Sequence, residues 1–228
     1  MAMLLKMMMD MEEKDLALEQ PAEHRVSVWE WGSRILSVVF HPMLLPFYVF
    51  ILLFRYTYLA IMPLQYHWFV LGAVVTFGVL APCLFIGIYL WTNRYGLKDL
   101  AVRKKRWVPY LVTLLSYTTC LILMYRMHFP LYFSGIIQSV VFCLVLCLIL
   151  NFRWNTSVHM AGCGLLVGGL YSYSLLFLIN PVWWLCGFIL LSGVQGTIRI
   201  SYHKHTLWEV IAGFVVGMFC GITGILFI

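Results

Sequence analysis

The fold is decided by the stretch IRISYHKHTLWEVIAGFVVG, which runs from Ile198 to Gly217. Its second half opens an apolar, glycine-rich run over 207–228, and a run of this length can cross a bilayer as a helix. Its first half and the junction carry five ionisable side chains: Arg199, His203, Lys204, His205 and Glu209. The stretch therefore predicts a membrane-spanning helix that begins at a cluster of ionisable groups.

The composition of the whole chain extends this prediction. Of its 228 residues, 63% are hydrophobic and 11% are charged, whereas soluble domains are about half apolar. Transmembrane β-barrels alternate polar and apolar residues in segments of about ten, and the chain lacks that alternation. We therefore expect an all-α fold, a polytopic membrane helix bundle of six to seven transmembrane helices.

Separate apolar runs locate these helices along the chain. They lie near residues 34–56, 68–92, 107–125, 131–150, 158–179, 182–198 and 207–228. The nine tryptophans lie at or near the ends of these runs, as expected for side chains that favour the membrane–water interface. We expect a single transmembrane domain over 34–228, preceded by a tail or interfacial helix over 1–33 without a typical signal-peptide pattern.

The polar residues between the runs fall on one face of the membrane. Consecutive spans place alternate connections on opposite faces, so 93–106, 151–157 and 199–205 share a face. The connections on the other face are short and carry few side chains suited to binding or catalysis. The sequence thus predicts one site built from three connections that are far apart in the chain.

Glycines recur at helical spacing in two of the predicted spans. Gly164 and Gly168 form one G-x-x-x-G pair, and Gly213, Gly217 and Gly221 form a stripe. Small residues at this spacing let helix backbones approach closely in lipid. We expect these glycines to serve helix packing.

The cysteines point to neither disulfides nor a thiolate metal site. All seven lie inside apolar runs, and none has C-x-x-C spacing. They are Cys83, Cys120, Cys143, Cys147, Cys163, Cys186 and Cys220. We expect them to act as small hydrophobic side chains.

The third connection holds the most specific group of residues. His205 and Glu209 are four residues apart and so share a helix face. A carboxylate there can accept the Nδ1 proton of the imidazole and leave Nε2 as a nucleophile or base. Arg199 is suited to a bidentate grip on phosphate or carboxylate. The alternative is an interfacial histidine with basic side chains that extend toward the headgroups.

The second connection ends in Ser157 and His159, at the start of a predicted span. Free N–H groups and the helix dipole favour an anion at this position. Ser157 can donate to that anion, and His159 can act as a general acid. Taken alone, these residues also suit an N-cap serine and an interfacial histidine.

The first connection carries six bases and one acid over 94–106. Several cations directed at one anion would neutralise charge in a phosphoryl-transfer transition state. The alternatives are a cytoplasmic orientation signal or a contact with anionic lipid. A nucleic-acid patch is the least consistent with a membrane protein.

Together these groups resemble the three signatures of the type 2 phosphatidic acid phosphatase (PAP2) superfamily. The residues of the third connection have the spacing R-x5-H-x3-E, similar to the family's SR-x5-H-x3-D. TSVH over 156–159 looks like its PSGH, and 98–109 looks like its K-x6-RP. Ile198, Thr156 and Val158 stand where the family has Ser, Pro and Gly.

The resemblance covers about 98–217 and implies a PAP2-like core in a divergent bacterial membrane member. It implies that His205 is the nucleophile, that Glu209 orients it, and that His159 protonates the leaving group. The implied phosphate-binding residues are Lys98, Arg103, Arg106, Ser157 and Arg199. No metal and no other cofactor is implied.

The expected function is a membrane-embedded lipid phosphate phosphatase, a phosphomonoesterase or diphosphatase, that acts through a phosphohistidine. Its partners would be membrane lipids and a lipid phosphate substrate, not nucleic acid. The substrate would be an isoprenoid-carrier pyrophosphate, a lipid A phosphate, or a lipid of the phosphatidic acid type. The superfamily's bacterial members imply an inner-membrane location with the site toward the periplasm, whereas the count of Lys and Arg favours the cytoplasmic side.

Three alternatives remain open at the level of sequence. A non-catalytic anionic-lipid-binding or transport protein would keep the fold, and a lipid phosphotransferase would use the same His205 intermediate. A zinc site from His203, His205, Glu209 and His159 would face repulsion from Arg199 and the basic connection. His41 before Pro42 is compatible with a kinked, functional helix, but we expect a structural kink or an interfacial ring and leave both residues out of the site.

Overall fold

The computed structural model describes residues 28–56, 58–94, 107–154, 156–202 and 205–227, and every regular element in these ranges is helical. Six of the helices are long and apolar enough to cross a membrane. The chain is therefore an integral membrane protein built as a polytopic helix bundle, and the predicted fold class is confirmed.

We number the helices in chain order. Two shorter helices come first, α1 (Val28–Val39) and α2 (Leu45–Tyr56). The membrane-spanning helices are α3 (Leu64–Asn93), α4 (Trp107–Arg126), α5 (Leu131–Asn151), α6 (Val158–Phe177), α7 (Val182–Ser201) and α8 (Leu207–Leu226). A short 3₁₀ helix, Tyr58–Ile61, lies between α2 and α3, and a π-helical turn, Thr76–Leu80, lies inside α3.

The predicted first span over 34–56 is wrong. The chain leaves the helix after Val39 and re-enters one only at Leu45. Pro42 explains the break, because it lacks an N–H and disfavours helical geometry at His41 before it. The twelve residues of α2 extend about 18 Å, which is less than the ~30 Å thickness of the hydrocarbon layer.

The chain divides into two compact units, residues 1–36 and 37–228. Of the first unit the structure describes only 28–36, which is part of α1. The second unit contains α2 to α8, and all the site residues discussed below belong to it.

Helix α2 packs inside the second unit although it is too short to span. Phe50 is fully buried, and its ring centroid lies 5.5 Å from that of Phe133 on α5. At the start of α2, a Cβ on Gly162 of α6 would lie 2.7 Å from Cδ1 of Leu45. These contacts fix the 40–44 turn beside the first turns of α6.

Helices α6 and α8 pack with their backbones in contact. A Cβ on Gly217 would collide with the carbonyl oxygen of Ala161, and a Cβ on Gly164 would collide with that of Phe214. The other predicted glycines also meet backbone atoms of the partner helix: Gly168, Gly213 and Gly221. The predicted packing role of these residues is confirmed, and it brings the N-terminal turns of α6 and α8 together.

Consecutive spans alternate in direction, so the C-terminal ends of α3, α5 and α7 and the N-terminal ends of α4, α6 and α8 share one end of the bundle. The described residues contain six spans instead of the seven apolar runs of the sequence, and this leaves the arrangement unchanged, since the run that does not span precedes α3. The second and third connections touch directly, because the Ser157 N–H donates a hydrogen bond of 3.4 Å to the Glu209 carbonyl oxygen.

Candidate functional site

His205 and Glu209 form a pair at the start of α8. Nδ1 of His205 lies 3.3 Å from Oε2 of Glu209, and the two side chains are 8% and 24% exposed. The four-residue spacing predicts this contact. A carboxylate that accepts the Nδ1 proton of His205 places the lone pair of the neutral ring on Nε2, the atom that can attack or accept a proton.

The same carboxylate also caps α8. The Thr206 N–H donates to Oε2 of Glu209 at 3.0 Å, and the Glu209 N–H donates to Oγ1 of Thr206 at 3.4 Å. This is a capping box, and the T-x-x-E pattern over 206–209 is its sequence signal. Glu209 is thus held by the backbone at the same time as it holds His205.

Ser157 is the N-cap residue of α6, but its side chain makes no capping bond. The hydroxyl is fully buried and has no hydrogen-bond partner among the described residues, and the same holds for Oγ1 of Thr156, which is 2% exposed. An N-cap hydroxyl ordinarily accepts from an N–H of the first helical turn. The capping explanation of Ser157 therefore fails, and both hydroxyls are available to an anion at the N terminus of α6.

Arg199 lies in the last turn of α7, and Gln195 lies one turn before it on the same face. Both side chains are buried. Nε and Nη2 of Arg199 and both amide atoms of Gln195 have no hydrogen-bond partner among the described residues. Because buried polar groups in proteins are nearly always paired, four such atoms on one helix face indicate a place for a polar ligand.

The face of α7 that carries Gln195 and Arg199 lies near the helices that carry the other candidates. A Cβ on Gly196 would lie 3.2 Å from Cγ1 of Val210 on α8 and 3.6 Å from Cε of Met160 on α6. The first turns of α6 and α8 therefore meet the C-terminal part of α7, the helix that carries Gln195 and Arg199.

His159, in the first turn of α6, meets a histidine that the sequence analysis left outside the site. The ring centroids of His41 and His159 lie 5.3 Å apart, and the ring planes are at 85°. Burial lowers the pKa of His41, and the positive charge of Arg199 lowers that pKa further. His41 is thus in contact with His159 and within electrostatic reach of Arg199.

The basic connection cannot be placed in this site. Lys98, Arg103 and Arg106 lie outside the described residues, as do the neighbouring bases over 104–105. Their role in phosphate binding stays a prediction.

No group of three or more His, Cys, Asp or Glu side chains that could hold a metal ion occurs in the described part of the chain. His203, one member of the alternative zinc site, lies outside that part. The seven cysteines are free thiols, five of them buried, and Cys83 and Cys186 are exposed.

Comparisons with protein-family models, curated proteins and solved structures found no match to this chain. The geometry of the site therefore carries the functional argument.

Sequence reasoning missed four residues of this cluster, of which Thr156 entered only as a departure from the PSGH-like motif. Thr206 had a recognisable signal in the capping-box pattern. Gln195 had a weaker signal, since it is an uncharged polar residue inside an apolar span, four positions before Arg199. His41 had no local signal, because its contact with His159 depends on the packing of α2 against α6.

Proposed function

We propose that this chain is a membrane-embedded lipid phosphate phosphatase of the PAP2 type, which acts through a phosphohistidine on His205. One observation carries the proposal. Of the nine buried side-chain polar atoms without a hydrogen-bond partner among the described residues, six lie on four residues, one each on Thr156 and Ser157 and two each on Gln195 and Arg199. These six belong to the same end of the bundle as the His205–Glu209 pair.

The chemistry of these atoms suits a phosphoryl group. Phosphate oxygens accept hydrogen bonds, and the guanidinium of Arg199 and the hydroxyls of Thr156 and Ser157 can donate them. The first N–H groups of α6 and its dipole add attraction for negative charge. In a site of low dielectric such donors stabilise the charge of the transition state more strongly than they would in water.

The proposed reaction has two steps. Nε2 of His205 attacks phosphorus, a phosphorus–nitrogen bond forms, and the bond from phosphorus to the leaving oxygen breaks while His159 gives that oxygen a proton. Water then attacks phosphorus and passes a proton to His159, and the phosphorus–nitrogen bond breaks to release phosphate. Glu209 holds the imidazole of His205 through Nδ1 in both steps.

A site at the end of a helix bundle suits a substrate whose tail lies in the lipid and whose headgroup lies in water. Candidate substrates are an isoprenoid-carrier pyrophosphate, a lipid A phosphate, and phosphatidic acid or phosphatidylglycerol phosphate. We place the protein in a bacterial inner membrane with the site toward the periplasm. Labelling of a single cysteine introduced into 93–106 in intact cells tests the sidedness.

The function is tested with purified protein in detergent, a chelator and each candidate lipid phosphate. We expect release of phosphate and, from a ³²P-labelled substrate, a labelled histidine after rapid alkaline quenching, because the phosphorus–nitrogen bond of phosphohistidine hydrolyses in acid. In His205→Ala, the rate of phosphate release and the yield of labelled histidine should each fall by at least about 100-fold. Release that is undiminished in His205→Ala would contradict the proposed nucleophile.

A second candidate function is binding of an anionic lipid without turnover. The capping box favours it, because helix capping alone accounts for the position of the Glu209 carboxylate. In that case the protein would bind phosphatidic acid vesicles tightly, release no phosphate and form no phosphohistidine.

A further inference from the structure

His41 occupies a turn whose backbone is held on both sides. The His41 N–H donates to the Val38 carbonyl oxygen at 3.2 Å, and the Leu44 N–H donates to the His41 carbonyl oxygen at 2.8 Å. The Met43 N–H donates to Nδ1 of the ring at 3.4 Å. A ring nitrogen that accepts an N–H carries no proton itself, so neutral His41 holds its proton on Nε2.

The turn is also fixed from the side of α6. A Cβ on Gly162 would lie 2.7 Å from Cδ1 of Leu45 and 3.4 Å from Cβ of Pro42. Glycine at this position therefore lets the turn approach α6 closely, one helical turn beyond His159. The edge-to-face contact of the two imidazoles follows from this approach.

Burial and a nearby cation both disfavour the charged form of His41. Among the described residues, the titratable or charged groups that contact His41 or act on it are His159 from α6 and Arg199 from α7. Burial first, and the cation of Arg199 second, lower the pKa of His41. A neutral ring beside His159 does not repel the proton that a general acid must carry.

We propose that His41 is a positioning residue for His159: its ring, fixed by the 41–44 turn and packed edge-to-face, holds the imidazole of His159 toward the leaving oxygen. This inference rests on the proposed function for the role of His159, and it adds a residue from a segment outside the three signatures. It acts through His159 and does not itself touch the reacting atoms.

Two substitutions distinguish the contribution of the His41 ring from that of the hydrogen bond that Nδ1 accepts in the turn. His41→Asn keeps an acceptor for the Met43 N–H but removes the ring, whereas His41→Phe keeps a ring of similar width but removes that acceptor. His67→Gln is the matched control, because His67 stacks on Phe54 and bonds the Leu59 carbonyl oxygen through Nε2. Gln can keep that bond.

The kinetic readout is the dependence of the hydrolysis rate on the leaving group of the substrate. A lipid alkoxide needs a proton to leave and p-nitrophenolate does not, so loss of a well-placed acid affects only the first. We expect His41→Asn to lose about 10- to 100-fold on phosphatidic acid and less than about threefold on p-nitrophenyl phosphate. His159→Asn should show the same selective loss, and the double variant should lose no more than His159→Asn alone. An equal loss on both substrates, or additive losses, would overturn the proposal.

A second readout does not depend on activity. In ¹⁵N-histidine spectra we expect one fixed ring state of His159 in the native protein and in His67→Gln, and exchange between ring states in His41→Asn. A fixed ring in His41→Asn overturns the positioning role even if phosphatase activity is found. Exchange in His41→Asn without any phosphatase activity in the native protein supports the positioning role and refutes the proposed function.

Discussion

Oε2 of Glu209 lies 3.3 Å from Nδ1 of His205, and the same oxygen closes the cap of α8 by accepting the Thr206 N–H at 3.0 Å. A single carboxylate oxygen therefore fixes both a helix start and an imidazole. The two roles predict different outcomes for substitutions of Glu209 and Thr206.

Glu209→Gln should distinguish the effect of the negative charge of Glu209 from its role in the cap of α8. Glutamine serves in a capping box as well as glutamate does, so we expect the free energy of unfolding to change by less than about 0.5 kcal/mol. The negative charge that supports the His205 imidazole is lost, and phosphatase activity should fall about 100-fold. Thermal unfolding in detergent and phosphate release measure the two effects.

Thr206→Ala is the matched variant with the opposite pattern. It removes the hydroxyl that accepts the Glu209 N–H and should cost about 1 kcal/mol of stability, while activity per folded molecule stays nearly unchanged. If both variants lose activity only in proportion to their loss of stability, Glu209 is a cap and not a catalytic partner.

Ser157→Ala and Gln195→Leu should leave the fold as stable as before or more stable. Neither side chain has a protein partner for its polar atoms among the described residues, and removal of an unpaired buried polar group does not cost the protein a hydrogen bond. Orthovanadate, a phosphate mimic, should raise the melting temperature of the native protein, and this increase should shrink in both variants.

Ser172→Ala provides the control for Ser157→Ala. Ser172 is equally buried, but its hydroxyl donates to the Gly168 carbonyl oxygen at 3.0 Å on α6. Orthovanadate should therefore raise the melting temperature of Ser172→Ala as much as that of the native protein. A loss of about 1 kcal/mol in Ser157→Ala would instead mean that its hydroxyl caps α6 in solution.

Local patterns in the sequence predicted the parts of the molecule that depend on helix periodicity. The pairing of His205 with Glu209 and the contact stripe through Gly217 both follow from residues on one helix face, so spacing alone identifies them. The presence of several spanning helices followed from apolar length.

Hydropathy did not reveal the break after Val39, although His41 before Pro42 predicted a kink near this position. The sequence on both sides of Pro42 is apolar, and hydropathy does not distinguish one long helix from two short ones joined by a turn. The contact between His41 and His159 depends on that break and on the close approach at Gly162, so it required the three-dimensional structure. The unpaired atoms of Gln195 are likewise visible only when the packing of α7 is known.

Gly217→Ala tests the packing of α6 against α8. The new methyl group would meet the Ala161 carbonyl oxygen, and backbone atoms cannot move aside without separating the helices. We expect a loss of about 1–3 kcal/mol or more, with a lower melting temperature and lower activity, because the same two helices carry His159 and His205.

The control for this substitution is Gly187→Ala. A Cβ at Gly187 on α7 meets nothing within 4 Å, and alanine in a helix interior is favoured over glycine by roughly 0.5–1 kcal/mol. The melting temperature should therefore stay level or rise. Equal destabilisation by both substitutions would show that close approach at Gly217 is not the cause.

The pH dependence of stability should report on His41. Its pKa lies below the ordinary value of 6.5 in the folded protein because of burial and, to a smaller extent, because of Arg199. As the pH falls below about 6.5 the unfolded chain takes up a proton at His41 that the folded chain does not, so stability falls with pH in that window.

Melting temperatures between pH 7.5 and pH 5 should therefore drop more for the native protein than for His41→Asn. Arg199→Gln should reduce this difference without abolishing it, since burial is the larger cause. Parallel pH curves for the native protein and His41→Asn would mean that His41 is solvated in the folded state, contrary to its burial and its contact with His159.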